Sequence, residues 1–221
     1  MGPILKRLRS IEPRFEVGDI FPPIEQELGD HRHLFVGRVL NAGAGHRDIS
    51  HLVAGELVNQ DIETGLHNDN IHVYSPLHDI PFDDGYFDAV ICNAVLEHVE
   101  NPEEVVAEFA RVIRPCGALY LCVPFMQPEH LDPSDFQRYT VDGLAALVRR
   151  NGFDVHEASA MHSVYTTLGW IFVEWLRPFP GWRGWLLRWA ILPWVRRKAL
   201  TSTSQIRSLA SAFRVIAERQ A

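Results

Sequence analysis

Cysteine is scarce in this sequence: Cys92, Cys116 and Cys122 are the three among 221 residues, and no two form a CxxC pair. That excludes a disulfide scaffold and a thiolate cluster. Their place in or near apolar runs reads as reduced interior. Long hydrophobic runs are also missing, because Glu174 and Arg188 interrupt the two best candidates short of the roughly 20 residues a spanning helix needs. The start, MGPILKRLRSIEPRF, holds only isolated apolar residues, so no secretory core is read and a cytoplasmic protein is expected. The eleven histidines show no ligand spacing, His31 and His33 merely alternating, and no metal is expected.

Basic residues are sparse through most of the chain. Residues 15–176 hold 26 acids and 8 bases, whereas residues 177–221 hold 9 bases and 1 acid, within a net charge of −7. The asymmetry suits an anionic partner for the ends, or their docking on an acidic body. With bases confined to the termini and no known binding module, nucleic acid is not an expected partner.

What is present is a good supply of core-forming residues, 47% hydrophobic, enough for one well-buried domain. From Arg38 onward apolar runs alternate with helical patterns. Strands are predicted at 38–42, 56–61, 71–74, 87–93, 118–124 and 153–158, and 212–219 can close the sheet. A helix follows Asn101, which can cap it, with Pro102 at its first position, Glu103 and Glu104 in its first turn, and Val105, Val106, Phe109, Val112 and Ile113 at helical spacing. Another begins near Thr140 and stops at Asn151–Gly152. Strands without polar alternation, separated by helices, indicate an α/β, doubly wound, mostly parallel sheet.

The stretch RVLNAGAGHRD, Arg38 to Asp48, resembles a strand turning sharply into a helix beside a cofactor. It lacks the third glycine of a dinucleotide loop, and Asp48 stands there instead. An acid beside a pyrophosphate is electrostatically unfavourable, which argues against NAD or FAD. A phosphate-free, cationic cofactor escapes the objection. On RVLNAGAG, NQDI and the run LHDIPFDDGYFDAVICNAVLEHVENPEEVVAEFARVIRPCGALYLCVP, the chain resembles the class I S-adenosylmethionine-dependent methyltransferases over about residues 37–158. The resemblance implies a Rossmann-like seven-stranded sheet and S-adenosylmethionine as cofactor. Gly43 and Gly45 would approach the methionine moiety with Asn41 nearby, Asp61 would accept the ribose hydroxyls, and Ile62 would flank the adenine. Leu77 and His78 would offer backbone contacts to the base, and Asn93 would face the sulfonium. Asn41 and Pro76 occupy positions where the family usually carries acids.

Methyl transfer needs alignment and desolvation first, and a base only for an acceptor that must lose a proton. LEHVENP offers Glu97 and His98, and PEHLDPSDFQRYT offers His130, Asp132, Asp135, Arg138 and Tyr139 directly after a strand. His130, His98 and Asp135 are the candidates for catalysis, His130 as general base; Asp135 and Arg138 also read as a structural clamp. The expected acceptor is a small molecule, a sugar or a lipid-linked glycan; the alternative is a non-catalytic partner or membrane-docking module on the same fold. Residues 1–36 read as a helical lead-in to a domain spanning 37–221. Before its last strand lies a helical insertion, 160–205, with all six tryptophans, placing Trp182, Trp185 and Trp189 within an arc of roughly 60° on a helix. With Arg188, Arg196, Arg197 and Lys198 the segment suits a lid, a homodimer contact or peripheral attachment to the inner membrane face through 170–198.

Overall fold

The computed structural model describes residues 17–62, 68–179 and 182–221, with side chains for all of these except Trp182, Arg183 and Trp185. The expected lead-in over 1–16 and the Trp182–Trp185–Trp189 arc therefore lie outside the described residues. Seven strands form one sheet: β1 (Val36–Ala42), β2 (Ala54–Asp61), β3 (Val73–Tyr74), β4 (Phe87–Asn93), β5 (Ile113–Pro124), β6 (Phe153–Met161) and β7 (Ala212–Arg219). Their order is β3-β2-β1-β4-β5-β7-β6. β1 pairs parallel with β2 and β4, and β4 with β5, while β7 runs antiparallel between β5 and β6. Among the described residues the α-helices are α1 (Ile24–Leu28), α2 (Pro102–Val112), α3 (Val141–Arg150), α4 (Val164–Leu176) and α5 (Trp182–Thr201).

The chain forms two compact units. The sheet unit comprises Pro23–Phe125, Glu129–Met161 and Ala212–Ala221. Its core includes Phe35 and Val39, Ala89 and Ile91 of β4, Tyr120 and Cys122 of β5, and Ile216 of β7. The unbroken apolar runs of β1 and β4 give buried ends, as expected for central parallel strands. Cys92 and Cys122 are buried and Cys116 is exposed, so two of the three cysteines are interior. The described part of the helical unit is residues 17–22, 126–128, 162–179 and 182–211. There α4 and α5 approach closely at Gly169, where a Cβ would stand 2.8 Å from Val195 Cγ1. Arg188 Nη2 donates to the Leu176 carbonyl at 2.9 Å, satisfying an orphan group at the end of α4. Among the described residues no helix is long and apolar enough to cross a membrane.

Two local expectations change. The loop after β1 does not enter a helix: Asp48 Oδ1 accepts the Ser50 N–H at 2.9 Å, and only a short 3-10 turn, Ser50–Leu52, precedes β2. Asn101 precedes α2 without a side-chain capping bond, whereas Thr140 Oγ1 caps α3 by accepting from the Gly143 N–H at 3.2 Å.

The last turns of α2 pin the loop between β3 and β4. Glu108 accepts from the Ile80 N–H at 2.7 Å and from Arg111, whose guanidinium also reaches the Ile80 and Phe82 carbonyls and Asp84. Hydrogen bonding to Arg111 holds the Glu108 carboxyl below the usual carboxylate range. A depressed folded-state pKa means that this stabilisation is complete above about pH 4.5 and is lost as the pH falls further. Glu108→Gln is expected to cost about 1–3 kcal/mol near neutrality, the scale of charge-assisted bonds. In urea titrations the gap between variant and native should close below about pH 4.

Candidate active site

β1 and β4 are neighbours at the point where the strand order reverses, and their carboxyl ends frame an open pocket. Asn41, Gly43 and Ala44 line it from β1 and its loop, Ile91 and Asn93 from β4, with Arg47, Ile49, Ile24 and Leu28. This is where an open α/β sheet takes its ligand. Ile24 and Leu28 belong to α1, which sequence patterning assigned only to a lead-in; α1 also carries Glu27, a buried carboxylate accepting from Asn93 Nδ2 at 3.2 Å.

The loop is held by the end of β2. The Gly43 N–H donates to Gln60 Oε1 at 3.1 Å, the Ala44 N–H to the Gln60 carbonyl at 2.9 Å, and the Gly45 N–H to Asp61 Oδ2 at 2.8 Å. Asp61 Oδ1 accepts from the Ile62 N–H at 2.7 Å, and Asn68 Nδ2 donates to the Gly45 carbonyl at 2.8 Å. Gly43 and Gly45 both have positive φ, +68° and +56°. They differ in surroundings. A Cβ at Gly43 would stand 2.5 Å from Val95 Cγ2, whereas one at Gly45 would meet open space. Gly43 is thus fixed by packing, and Gly45 leaves its backbone approachable.

Asn41 is buried, and its Nδ2 donates to Asn59 Oδ1 across the β1–β2 pair at 3.0 Å. Asn59 continues to Asn70, so an asparagine relay replaces the acid usual in the resembled family. Ile62 is 57% exposed beside Asp61, Leu77 is buried, and His78 is exposed. Asn41, Gly43 and Asn93 therefore meet at the cavity, and Gly45, Asp61 and Ile62 follow along the loop and the end of β2.

The second group of predicted residues gathers beyond β4 and β5. Leu96–His98 is a 3-10 turn that brings the fully buried Glu97 beneath two imidazoles. His98 Nε2 and His130 Nε2 each lie 3.6 Å from Glu97 Oε1, and the two rings stand edge to face, centroids 5.2 Å apart. His98 Nδ1 donates to the Ser134 carbonyl at 2.6 Å. The His130 N–H donates to Asp135 Oδ2 at 3.0 Å, and Asp135 is clamped by Arg138, which holds its carboxyl down at about 2. The clamp read from the sequence is present. Glu97 has neither carboxylate oxygen in a hydrogen bond.

Residues 40–121 match the family described as the methyltransferase domain. The fold is shared with the [4+2]-cyclase SpnF, with TM-score 0.59, 15% identity, and coverage of 89% of this chain and 80% of that one. A Bacillus halodurans protein assigned as a methyltransferase aligns with TM-score 0.57 and 15% identity over 89% and 98% of the two chains. An S-adenosylmethionine-dependent methyltransferase of Mesorhizobium loti does so with TM-score 0.57 and 12% identity over 89% and 98%. No curated protein matches the chain. At these identities the solved structures speak for the fold. What they share with this chain is the Rossmann-like fold of S-adenosylmethionine-dependent methyltransferases, and the methyltransferase-domain match covers residues 40–121 within it.

The two glycines should separate in mutagenesis. Gly43→Ala combines a positive φ with collision against Val95 and is expected to lower the urea midpoint severely or prevent folding. Gly45→Ala carries only the conformational cost, about 1–2 kcal/mol, and should fold. Equal loss in both variants would show that Val95 yields freely.

Proposed function

We propose that the protein moves the methyl group of S-adenosylmethionine to an oxygen or nitrogen of a small-molecule, sugar or lipid-linked acceptor. The observation that carries the reading is the open backbone of Gly45 next to the Asp61 carboxylate, at the carboxyl ends of β1 and β2. Gly43 and Gly45 would face the methionine moiety, and Asp61 would take the ribose hydroxyls with the lone pairs its two backbone bonds leave over. Ile62 offers an exposed apolar side chain to the adenine, and Leu77 and His78 offer backbone contacts to it. Asn41 and Asn93 supply neutral polar groups toward the sulfonium.

When bound, the cofactor supplies a methyl group already activated on sulfur. The chain's own task is to align the acceptor and exclude water. His98, His130 and Asp135 form the acceptor side. Asp135 orients His130 through its backbone N–H, and the Ser134 carbonyl fixes the His98 tautomer, so that its Nε2 presents a lone pair.

Calorimetry with S-adenosylmethionine and its demethylated product tests the reading. Native protein is expected to bind both, and Asp61→Ala to bind about 10–100-fold more weakly, the worth of charged hydrogen bonds. His130→Ala should retain cofactor affinity while losing turnover of labelled cofactor with cell extract. No binding of either compound at millimolar concentration overturns the proposal.

A lipid-linked acceptor is favoured by the helical unit, where Trp175, Trp189 and Trp194 are each more than half exposed on a segment that also carries Arg177, Arg196 and Arg197. Co-sedimentation with anionic phospholipid vesicles should fall several-fold in Trp189→Ala/Trp194→Ala at unchanged cofactor affinity. Indifference of native protein to vesicles would leave a soluble acceptor.

A further inference from the structure

We propose that Glu97, His98 and His130 form a binding site for a single divalent cation of the zinc class. The three side chains converge from the turn after β4 and the segment after β5, and one ligand atom from each lies within 4.8 Å of the others. Glu97 is the decisive member. Its side chain is 1% exposed, and both carboxylate oxygens lack a hydrogen-bond partner. A buried carboxylate left that way loses its hydration without recompense and needs a positive charge against it.

The two imidazoles do not meet that need by hydrogen bonding. Both Nε2 atoms stand 3.6 Å from Glu97 Oε1, beyond hydrogen-bond length. A cation does. With metal–ligand bonds of about 2.1 Å, neighbouring ligand atoms sit roughly 3.0–3.4 Å apart, so the three atoms need draw in by only a few tenths of an ångström at the two contacts to Glu97. The imidazoles are turned the right way. His98 donates Nδ1–H to the Ser134 carbonyl, which leaves the Nε2 lone pair facing Glu97, the outer-shell arrangement typical of metal-binding histidines. His130 turns Nδ1 toward the Asp135–Arg138 pair, 3.7 Å from Asp135 Oδ2 and 3.5 Å from Arg138 Nη2, and its Nε2 faces Glu97; ligating a cation through Nε2 requires the ring proton on Nδ1, beside the Asp135 carboxylate.

The charge count agrees. Asp135 and Arg138 neutralise each other, so with neutral imidazoles Glu97 leaves one uncompensated negative charge. His98 and His130 are 14% and 27% exposed, which gives a cation a route in and leaves coordination positions open on the accessible side. Two imidazoles and one carboxylate suit zinc or cobalt better than magnesium or calcium, which prefer oxygen ligands throughout. This departs from the expectation of no metal read from histidine spacing, because the ligands come from separate segments. The site stands on its own geometry. What it would hold, an acceptor oxygen placed in an open position for methylation, rests on the function proposed above.

The test is titration of EDTA-treated full-length protein with zinc chloride by calorimetry, and with cobalt chloride by visible absorption. Native protein is expected to bind one equivalent at micromolar or tighter dissociation constant and to give the intense visible bands of low-symmetry cobalt. His98→Ala, His130→Ala and Glu97→Gln should each weaken zinc by at least about 100-fold, the upper end of what removing even an outer-shell partner costs. His156→Ala, which removes an exposed imidazole elsewhere, should leave affinity unchanged. Far-ultraviolet circular dichroism identifies any variant that fails to fold; the native cobalt spectrum and a zinc-dependent rise in native Tm then carry the test. No binding by native protein at millimolar zinc, or affinity indifferent to the histidine variants, overturns the proposal. Cofactor binding measured on the same samples separates the two readings: protein that binds S-adenosylmethionine but not zinc refutes this one alone.

Discussion

The end of β2 holds the loop that follows β1, and the rest of the site depends on that strap. Gln60 takes two successive backbone N–H groups and Asp61 takes a third, so Gly43–Gly45 is fastened along its length. Parallel pairing of β1 with β2 puts Asn41 opposite Asn59 and Ala42 opposite Gln60, which places the fastening residues within reach. A loop that must turn back on itself with two residues at positive φ would otherwise cost conformational entropy at every binding event. Here the cost is met on folding, and the exposed edge of Gly45 is preorganised.

The proposed acceptor side is built differently. Nothing in a ladder positions His130; a clamp of Asp135 and Arg138 five to eight residues on does so, while a carbonyl from the same segment orients His98. Two imidazoles from separate stretches are thereby aimed at one buried carboxylate. A buried carboxylate without hydrogen-bond partners costs stability unless something balances its charge, which the proposed cation would do.

Much of the architecture was readable in the residues. The apolar runs of β4 and β7 gave their bounds directly, and the capping and periodicity around 102–112 and 141–150 marked both helices. The antiparallel place of β7 and the long β5 were not, because pairing partners and register depend on contacts that no local pattern carries. The missing helix after β1 follows from Asp48, whose side chain takes the Ser50 N–H and commits the chain to a short turn. In the proposed site, Gly43, Gly45 and Asp61 were pointed to by the resemblance of RVLNAGAG and NQDI to methyltransferase motifs. The contribution of α1 was not, since a five-residue helix leaves almost no periodic signal. The convergence of Glu97 with His98 and His130 was hidden for a simpler reason: closeness in space across some thirty residues of sequence leaves no spacing to recognise.

The antiparallel β7 has a further consequence, for the order in which the protein is made. It lies between β5 and β6, yet in the chain it comes after both and after the whole helical stretch that separates it from them. Until it is synthesised, β5 and β6 each present an unsatisfied edge, and neither can substitute for the missing strand without losing its own register. The five strands β3-β2-β1-β4-β5 can pair without it, whereas β6, which pairs with β7, joins the sheet only when that last strand is in place.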